Sequence, residues 1–347
     1  MPFFFLIPPF LLYLFGVLNL FGVRPDLVLS FLGFGLFGLI LYFLIKYLQV
    51  HEHFFRTNAF FFYIILLVLL IATYMFGTEA KGSRRWLNLY FFQLQTSEIF
   101  KIFIIVFLAK LFSQTTTILE SRTLFLKVLI ATIIPTLIIF KQPDLGTALI
   151  ILIILGVMVL HSAIPRKQII IAAGLVLLLL PLGWFGMQDY QKMRVISFIN
   201  PKDISGAAYN MIQSKIAIGS GSFFGKGIGL GKQSQLMFLP EFHTDFAFAS
   251  LVEQLGFIGG AVVITLYALF ILFLFYKMSQ DMLSSDEDTR YKFYYLLGFT
   301  TLIAGQMAIN IGMNLGLLPV AGITLPFISY GGSSLITFII GLAMIPE

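Results

Sequence analysis

The sequence predicts an all-α polytopic membrane protein: ten transmembrane helices with one large extracytoplasmic loop between helices 7 and 8. Three observations carry that prediction. The 347-residue chain is 59% hydrophobic and only 11% charged, with a mean hydropathy of +0.96. So few charges cannot build a polar shell around a water-soluble core. Ten apolar runs approach the roughly 20 residues that a helix needs to cross the hydrocarbon core. Between the seventh and eighth runs, residues 188–244 break the rhythm with a polar, glycine-rich stretch.

The first run, 3–22, has no basic segment ahead of it and no small-residue cleavage site, so it is expected to be a retained span, kinked by Pro8 and Pro9. Runs at 27–48, 58–77, 97–113, 123–140, 145–163 and 168–187 follow. The run at 245–276 is long enough for its first turns to stand above the bilayer, and runs at 293–317 and 332–345 complete the set. No internal repeat is evident, and residues 1–347 are expected to form a single transmembrane domain containing the 188–244 loop. A structureless connection of that length is uncommon unless it is functional.

Orientation follows the basic residues of the short loops. One set of loops carries Lys46, Arg56, Lys110, Arg122, Lys127, Arg166, Lys167, Lys277, Arg290 and Lys292; the alternate set carries Arg24, Lys81, Arg84, Arg85 and Lys141. The richer set is expected in the cytoplasm, with both termini. Lys81–Arg85 then forms a basic cluster on the outer face, a local exception that implies a task for those charges.

Composition also removes function classes. Cysteine is absent, so no disulfide framework or thiolate metal site exists. The net charge of +6 is spread too thinly for a nucleic-acid patch and suits membrane lipid headgroups or a phosphorylated lipid. The four histidines are scattered, with His51 and His53 in a cytoplasmic loop. The stretch "GSGSFFGKGIGLGK" contains neither G-x-x-x-x-G-K-[ST] nor G-x-G-x-x-G and reads as turns. Gly256 and Gly260 read as a close helix-packing pair.

Ionisable groups at the membrane edge cost about 2.5–3.5 kcal/mol each at a helix centre, so those present invite a role. Four polar clusters fall on the outer face of this topology. The first holds Lys81, Arg84, Arg85 and Trp86, then Glu98 and Lys101, one helical turn apart. The second is "KQPDLGT" with Asp144. The third closes the large loop with Glu241, His243 and Asp245, then Glu253. The fourth is the broken stretch "LPFISYGGSS". Each has a purely structural alternative. Glu98 and Lys101 suit a mutual pair or a helix cap, Trp86 an interfacial anchor, Asp144 a helix start, Thr244 or Asp245 an N-cap, and Lys226 and Lys232 solvated loop charges. Those alternatives leave the convergence of four clusters unexplained. No soluble domain is available for a sugar nucleotide, so a substrate arriving in the membrane, a lipid-linked diphosphate above all, fits best.

"QSQLMFLPEFHTDFAFASLVEQLGFIG", "GSRRWL", "QTSEIFK", "KQPDLGTAL" and "NIGMNLGLLPVAGITLPFISYGGSSL" resemble, in this order and over about residues 78–340, the motifs of the SEDS (shape, elongation, division, sporulation) family. "GKQSQLMFLPE" and "NIGM…LLPVAGI" resemble its elongation-type, RodA-like branch more than its division-type, FtsW-like branch. Thr96 stands where the family often has proline, "VEQLG" replaces "EELG", and the chain ends at Glu347 without a basic tail.

The resemblance implies a peptidoglycan glycosyltransferase in the bacterial cytoplasmic membrane. It would polymerise lipid II at the outer face and work with a class B penicillin-binding protein, a transpeptidase. It implies Asp245 as the catalytic residue, with Arg85, Trp86, Glu98, Lys101 and Glu253 binding substrate. One base suffices for this chemistry: it takes the proton of the acceptor's 4-hydroxyl while the sugar inverts and a diphosphate leaves. A helix start beside Asp245 favours its ionised form, with Phe242, Phe246 and Phe248 setting the depth of the segment. Whether a divalent cation, magnesium or manganese, shares the diphosphate or binds Asp245 stays open at this point. So do two other readings, a lipid II flippase and a scaffold that activates a partner.

Overall fold

Helices occupy all ten predicted spans. The computed structural model describes residues 4–47, 53–80, 83–88, 93–114, 118–200, 206–281 and 286–346; His51 and Lys81 lie outside the described residues. A short 3-10 turn, Phe4–Leu6, leads into α1 (Ile7–Val23). Pro8 and Pro9 open α1 rather than kinking its middle, because missing amides are harmless in a first turn. Next come α2 (Pro25–Tyr47), the short α3 (His53–Thr57) and α4 (Ala59–Phe76). Three strands follow, β1 (Thr78–Ala80), β2 (Ser83–Asn88) and β3 (Gln93–Gln95), then α5 (Thr96–Gln114), α6 (Ile118–Lys141), α7 (Leu145–Leu160) and α8 (Arg166–Gly186). The 188–244 stretch contains α9 (Asp189–Ile199), α10 (Ala207–Gly221) and α11 (Lys232–Gln235). The chain closes with α12 (Ala247–Asp281), α13 (Glu287–Asn314) and α14 (Gly332–Ala343).

Six helices are long and apolar enough to cross a membrane on length and composition: α1 with its leading turn, α2, α4, α6, α12 and α13. The shorter α7 and α14 are also apolar. Helix α5 is diluted by Glu98, Lys101 and Lys110, yet nearly all its residues are buried. One part of the all-α expectation needs correcting. The strands form a small antiparallel sheet in the order β1-β2-β3, pairing Glu79 with Arg84 and Trp86 with Gln95. They are too short to leave an alternating signature in the sequence.

The fold divides into two compact units. One comprises Met1–Tyr42, Met193–Leu274 and Ile303–Ile340; the other comprises Phe43–Lys192, Phe275–Leu302 and Gly341–Glu347. In the second unit, Tyr63 of α4 stacks on Phe107 of α5 at 4.6 Å between ring centroids, and its hydroxyl donates to the Ala131 carbonyl of α6 at 2.9 Å. The Thr73 and Thr96 hydroxyls meet at 2.9 Å, so Thr96 ties the start of α5 to α4, a bond that proline could not make.

In the first unit, a buried polar network joins α1 to α12. Asn19 Nδ2 donates to Ser250 Oγ at 2.9 Å, and Gln254 Nε2 donates to Asn19 Oδ1 at 2.6 Å. Below this network α12 is broken at Gly256, whose φ of 71° and ψ of −169° lie outside the helical region. The glycine-rich stretch fills the break. Lys226 N donates to Glu253 O at 2.9 Å and Gly227 N to Gln254 O at 3.0 Å. From the other side, Phe257 N reaches Ser222 O at 2.9 Å and Ile258 N reaches Phe223 O at 3.2 Å. A Cβ on Gly256 would run into Gly225 N and lie 2.6 Å from the Phe223 carbonyl carbon. Gly256 and Gly260 are therefore not a helix-packing pair. Gly256 faces loop backbone, and Gly260 faces Val252 and Phe248 of its own helix. The loop supplies the partners that a broken helix needs where water is scarce.

Candidate functional site

Asp245 lies two residues before α12 begins at Ala247. Its neighbours Phe242, Phe246 and Phe248 are all buried, whereas Asp245 itself is half-buried. Phe242 and Phe246 pack with Leu239, Met211, Met313 and Val320 in the core of the first unit. Aromatic anchors thus sink the segment, and the turn between them leaves the carboxylate near the surface. Thr244 does not cap α12, because its hydroxyl turns back to the Glu241 carboxylate at 3.1 Å. Glu241 has a φ of 54°, a left-handed backbone uncommon outside glycine and often found at functional turns.

Two asparagines of α13 hold the Asp245 backbone. Asn310 Nδ2 donates to Asp245 O at 2.9 Å and to Ile323 O at 2.6 Å. Asn314 Nδ2 donates to Asp245 O at 3.1 Å, and its Oδ1 accepts from Ala249 N at 3.0 Å. Both asparagines are fully buried. The "LPFISYGGSS" cluster closes the other side: Tyr330 N donates to His243 O at 2.8 Å, and Ser329 Oγ to Thr244 O at 2.6 Å. The third and fourth polar clusters thus meet around Asp245.

A cation also stands here that the sequence reading did not single out. From the point where a Gly322 Cβ would sit, Arg194 Nη1 is 3.4 Å away and Asp245 Oδ2 is 3.6 Å away. Gly322 has a φ of 69°, and Arg194 Nη1 donates to the adjacent Val320 carbonyl at 3.2 Å. The guanidinium and the carboxylate therefore flank one glycine. Asn310 and Asn314, an i, i+4 asparagine pair in an apolar helix, were a readable signal; Arg194 and Gly322 were not.

Glu253, expected among the substrate-binding residues, is fully buried and engaged with the loop. Its Oε1 accepts from Gln233 N at 2.8 Å; its Oε2 accepts from Ser234 N at 3.2 Å and Ser234 Oγ at 2.7 Å. The carboxylate thus sits on the first amides of α11 and anchors the loop to α12.

The first and second polar clusters meet in the other unit. Lys101 Nζ donates to Glu98 Oε1 at 2.8 Å, with both residues buried, and Glu98 Oε2 is buried without a hydrogen-bond partner. Asp144 caps α7 by accepting from Thr147 N at 3.2 Å, and its other oxygen accepts from Gln95 and Ser97 at 3.3 Å each. Arg85 of β2 approaches Asp144 at 3.9 Å, donates to Gln142 O at 3.1 Å and also bonds Pro143 O. Trp86, next on the strand, is half-buried and accepts at its carbonyl from Thr78 Oγ1 at 3.1 Å. Among the described residues, no group of three or more His, Cys, Asp or Glu side chains gathers where a metal ion could be held.

Comparison with known proteins places these residues in context. A family model described as "Cell cycle protein", covering the FtsW, RodA and SpoVE proteins, matches residues 13–347. The chain is 39% identical over 286 residues to the peptidoglycan glycosyltransferase MrdB of Escherichia coli K12, covering 82% of this chain and 75% of that protein. It is 35% identical over 307 residues to the probable peptidoglycan glycosyltransferase FtsW of Hydrogenovibrio crunogenus, covering 86% and 76%. Among solved structures, a chain of a peptidoglycan synthase complex that coordinates polymerization and crosslinking superposes with a TM-score of 0.79 and 27% identity over 98% of this chain and 95% of that one. The rod shape determining protein RodA of Thermus thermophilus superposes with a TM-score of 0.71 and 26% identity, over 98% and 94%. The chain belongs to the FtsW/RodA/SpoVE family of cell cycle proteins, the SEDS family.

Proposed function

We infer that this chain is a peptidoglycan glycosyltransferase that polymerises lipid II at the outer face of the bacterial cytoplasmic membrane, with both termini in the cytoplasm. Relatives at 39% and 35% identity carry that activity in their names. The observation that carries the mechanism is the half-exposed Asp245 carboxylate on a backbone clamped by two buried asparagines. A base has to hold its aim while the substrate moves, and the clamp supplies that rigidity.

In the reaction, Asp245 takes the proton of the acceptor sugar's 4-hydroxyl. The freed oxygen attacks the anomeric carbon of the lipid-linked donor, and the carbon–oxygen bond to the diphosphate breaks, its electron pair leaving with the diphosphate. One inversion needs one base, unlike glycosidases with their spaced pair of carboxylates. The diphosphate is already a good leaving group and asks for cations rather than a general acid. Trp86, Arg85, Glu98 and Lys101 stay in this reading as contacts for lipid-linked substrate; Glu253 acts as a positioning residue for the loop. The donor set does not fit a resident magnesium or manganese ion, because the described carboxylates do not cluster, and no step runs through one. The higher identity to MrdB and the likeness to RodA favour the elongation branch. The likeness to a chain of a synthase complex supports pairing with a class B penicillin-binding protein.

The test is purified protein in detergent, given lipid II. Wild-type protein is expected to form polymer without any second leaflet, which transport cannot explain. Asp245→Asn is expected to lose it at unchanged folding. Full polymer from Asp245→Asn would overturn the catalytic assignment.

A further inference from the structure

The proposed reaction needs the acceptor hydroxyl held with its proton aimed at the base, and the backbone around Asp245 suggests where. Gly322 presents its α-carbon between two charged heads of opposite sign, each about the same distance from the position a side chain would take: 3.4 Å to Arg194 Nη1 and 3.6 Å to Asp245 Oδ2. We propose that this position over Gly322 is the seat of the acceptor sugar's hydroxyl, with Arg194 as a catalytic residue and Gly322 as the residue that keeps the seat open. The inference rests on the glycosyltransferase reading above and goes beyond it by assigning the acceptor.

The chemistry of the two heads selects the ligand. A guanidinium only donates hydrogen bonds and an ionised carboxylate only accepts them. A hydroxyl does both, so it bridges the pair, accepting from Arg194 and donating to Asp245. A phosphate oxygen only accepts and would face the Asp245 carboxylate across the seat, with like charges repelling. The seat therefore favours the neutral acceptor over the donor's diphosphate. As the hydroxyl proton passes to Asp245 Oδ2, the oxygen becomes negative while its lone pair attacks the anomeric carbon and the bond to the diphosphate breaks. Arg194 then stabilises the developing alkoxide, a contact that strengthens toward the transition state. Its own aim is set by the bond to Val320 O. Any Cβ at residue 322 would take the place of the hydroxyl oxygen, which is a second reason for glycine there besides its φ of 69°.

The test uses the full chain in detergent with lipid II, reading polymer formation and, separately, equilibrium binding of undecaprenyl diphosphate. Arg194→Gln is expected to slow polymerisation roughly 100-fold, the scale of losing one donor to a developing oxyanion, while binding of the lipid diphosphate is unchanged. Arg194→Lys is expected to recover much of the rate, because a cation returns without the fork. Gly322→Ala is expected to lose activity with similarly unchanged diphosphate binding. Gly206→Ala serves as its control, since Gly206 is also left-handed, at a φ of 70°, but has nothing within 4 Å of its Cβ position. A loss of diphosphate binding in Arg194→Gln that parallels the loss of rate would place Arg194 on the donor and overturn the assignment. Full activity in both Arg194→Gln and Gly322→Ala would overturn it as well. A wild-type chain that makes no polymer would instead overturn the glycosyltransferase reading itself, and this one with it.

Discussion

Replacing Glu253 with glutamine separates an anchor from a substrate contact. Its two oxygens receive Gln233 N at 2.8 Å, Ser234 N at 3.2 Å and Ser234 Oγ at 2.7 Å, in a fully buried setting. Glutamine keeps one oxygen and turns the other into an amide NH2 that opposes at least one of those donors. Hydrogen bonds to a charged group contribute about 1.5–3 kcal/mol each, and an unmatched buried donor costs a similar amount. The expected local loss is about 2–3 kcal/mol, which raises the open population of the loop roughly 30- to 150-fold. Lys226 and Lys232 are exposed on either side of the anchored turn, so trypsin reads that population directly when opening is fast. Cleavage after these lysines should accelerate by that factor in Glu253→Gln, while cleavage elsewhere in the chain stays unchanged. Unchanged cleavage together with lost polymerisation would refute the anchor and return Glu253 to the substrate.

Two further outcomes follow from the same geometry. Asn314→Leu removes the donor to Asp245 O and the acceptor for Ala249 N; it should lower polymerisation at least about 10-fold through a misaimed base, with a melting temperature that still reports a folded chain, as measured by fluorescence-detected unfolding in detergent. At the start of α13, the Asp286 carboxylate accepts from Thr289 N at 3.2 Å and Asp288 N at 3.1 Å, and these bonds, the one from Thr289 first, hold its pKa below the usual carboxylate value. A lowered folded pKa means this cap stabilises the helix end fully above the ordinary carboxylate pKa near 4 and is lost as pH falls through the lower folded value. Amide exchange at residues 287–290, corrected for intrinsic rates, should therefore accelerate only below about pH 4, and Asp286→Asn should abolish that pH dependence.

Apolar runs told of the ten helices because each span must satisfy its own backbone in lipid, which forces long uninterrupted hydrophobicity. Structure within 188–244 was harder to see. Helix α9, "DYQKMRVISFI", is short and mixed in polarity, and a search for runs of membrane length passes over it. The strands around Trp86 are too brief for periodicity. The neighbourhood of Asp245 was legible in part. The flanking phenylalanines and the acid itself stood out, since an ionisable group between aromatic residues at a membrane edge is costly without a role. Arg194, Asn310, Asn314 and Gly322 come from elsewhere in the chain, and one sequence alone gives no sign of such long-range pairing. Glu253 shows the converse limit. An acid in an apolar run reads as functional, but whether it meets a substrate or a loop amide is decided by folding.

The union between the glycine-rich stretch and the break in α12 limits how a substrate can be admitted. Lifting residues 222–227 away from Gly256 would strip the four backbone hydrogen bonds that link them to residues 253–258, each with a net value of about 0.5–1.5 kcal/mol and dearer still where water is scarce. This segment is a splint, not a gate. Traffic to Asp245 has to pass without swinging it aside, and an inhibitor meant to jam a moving flap would find none here.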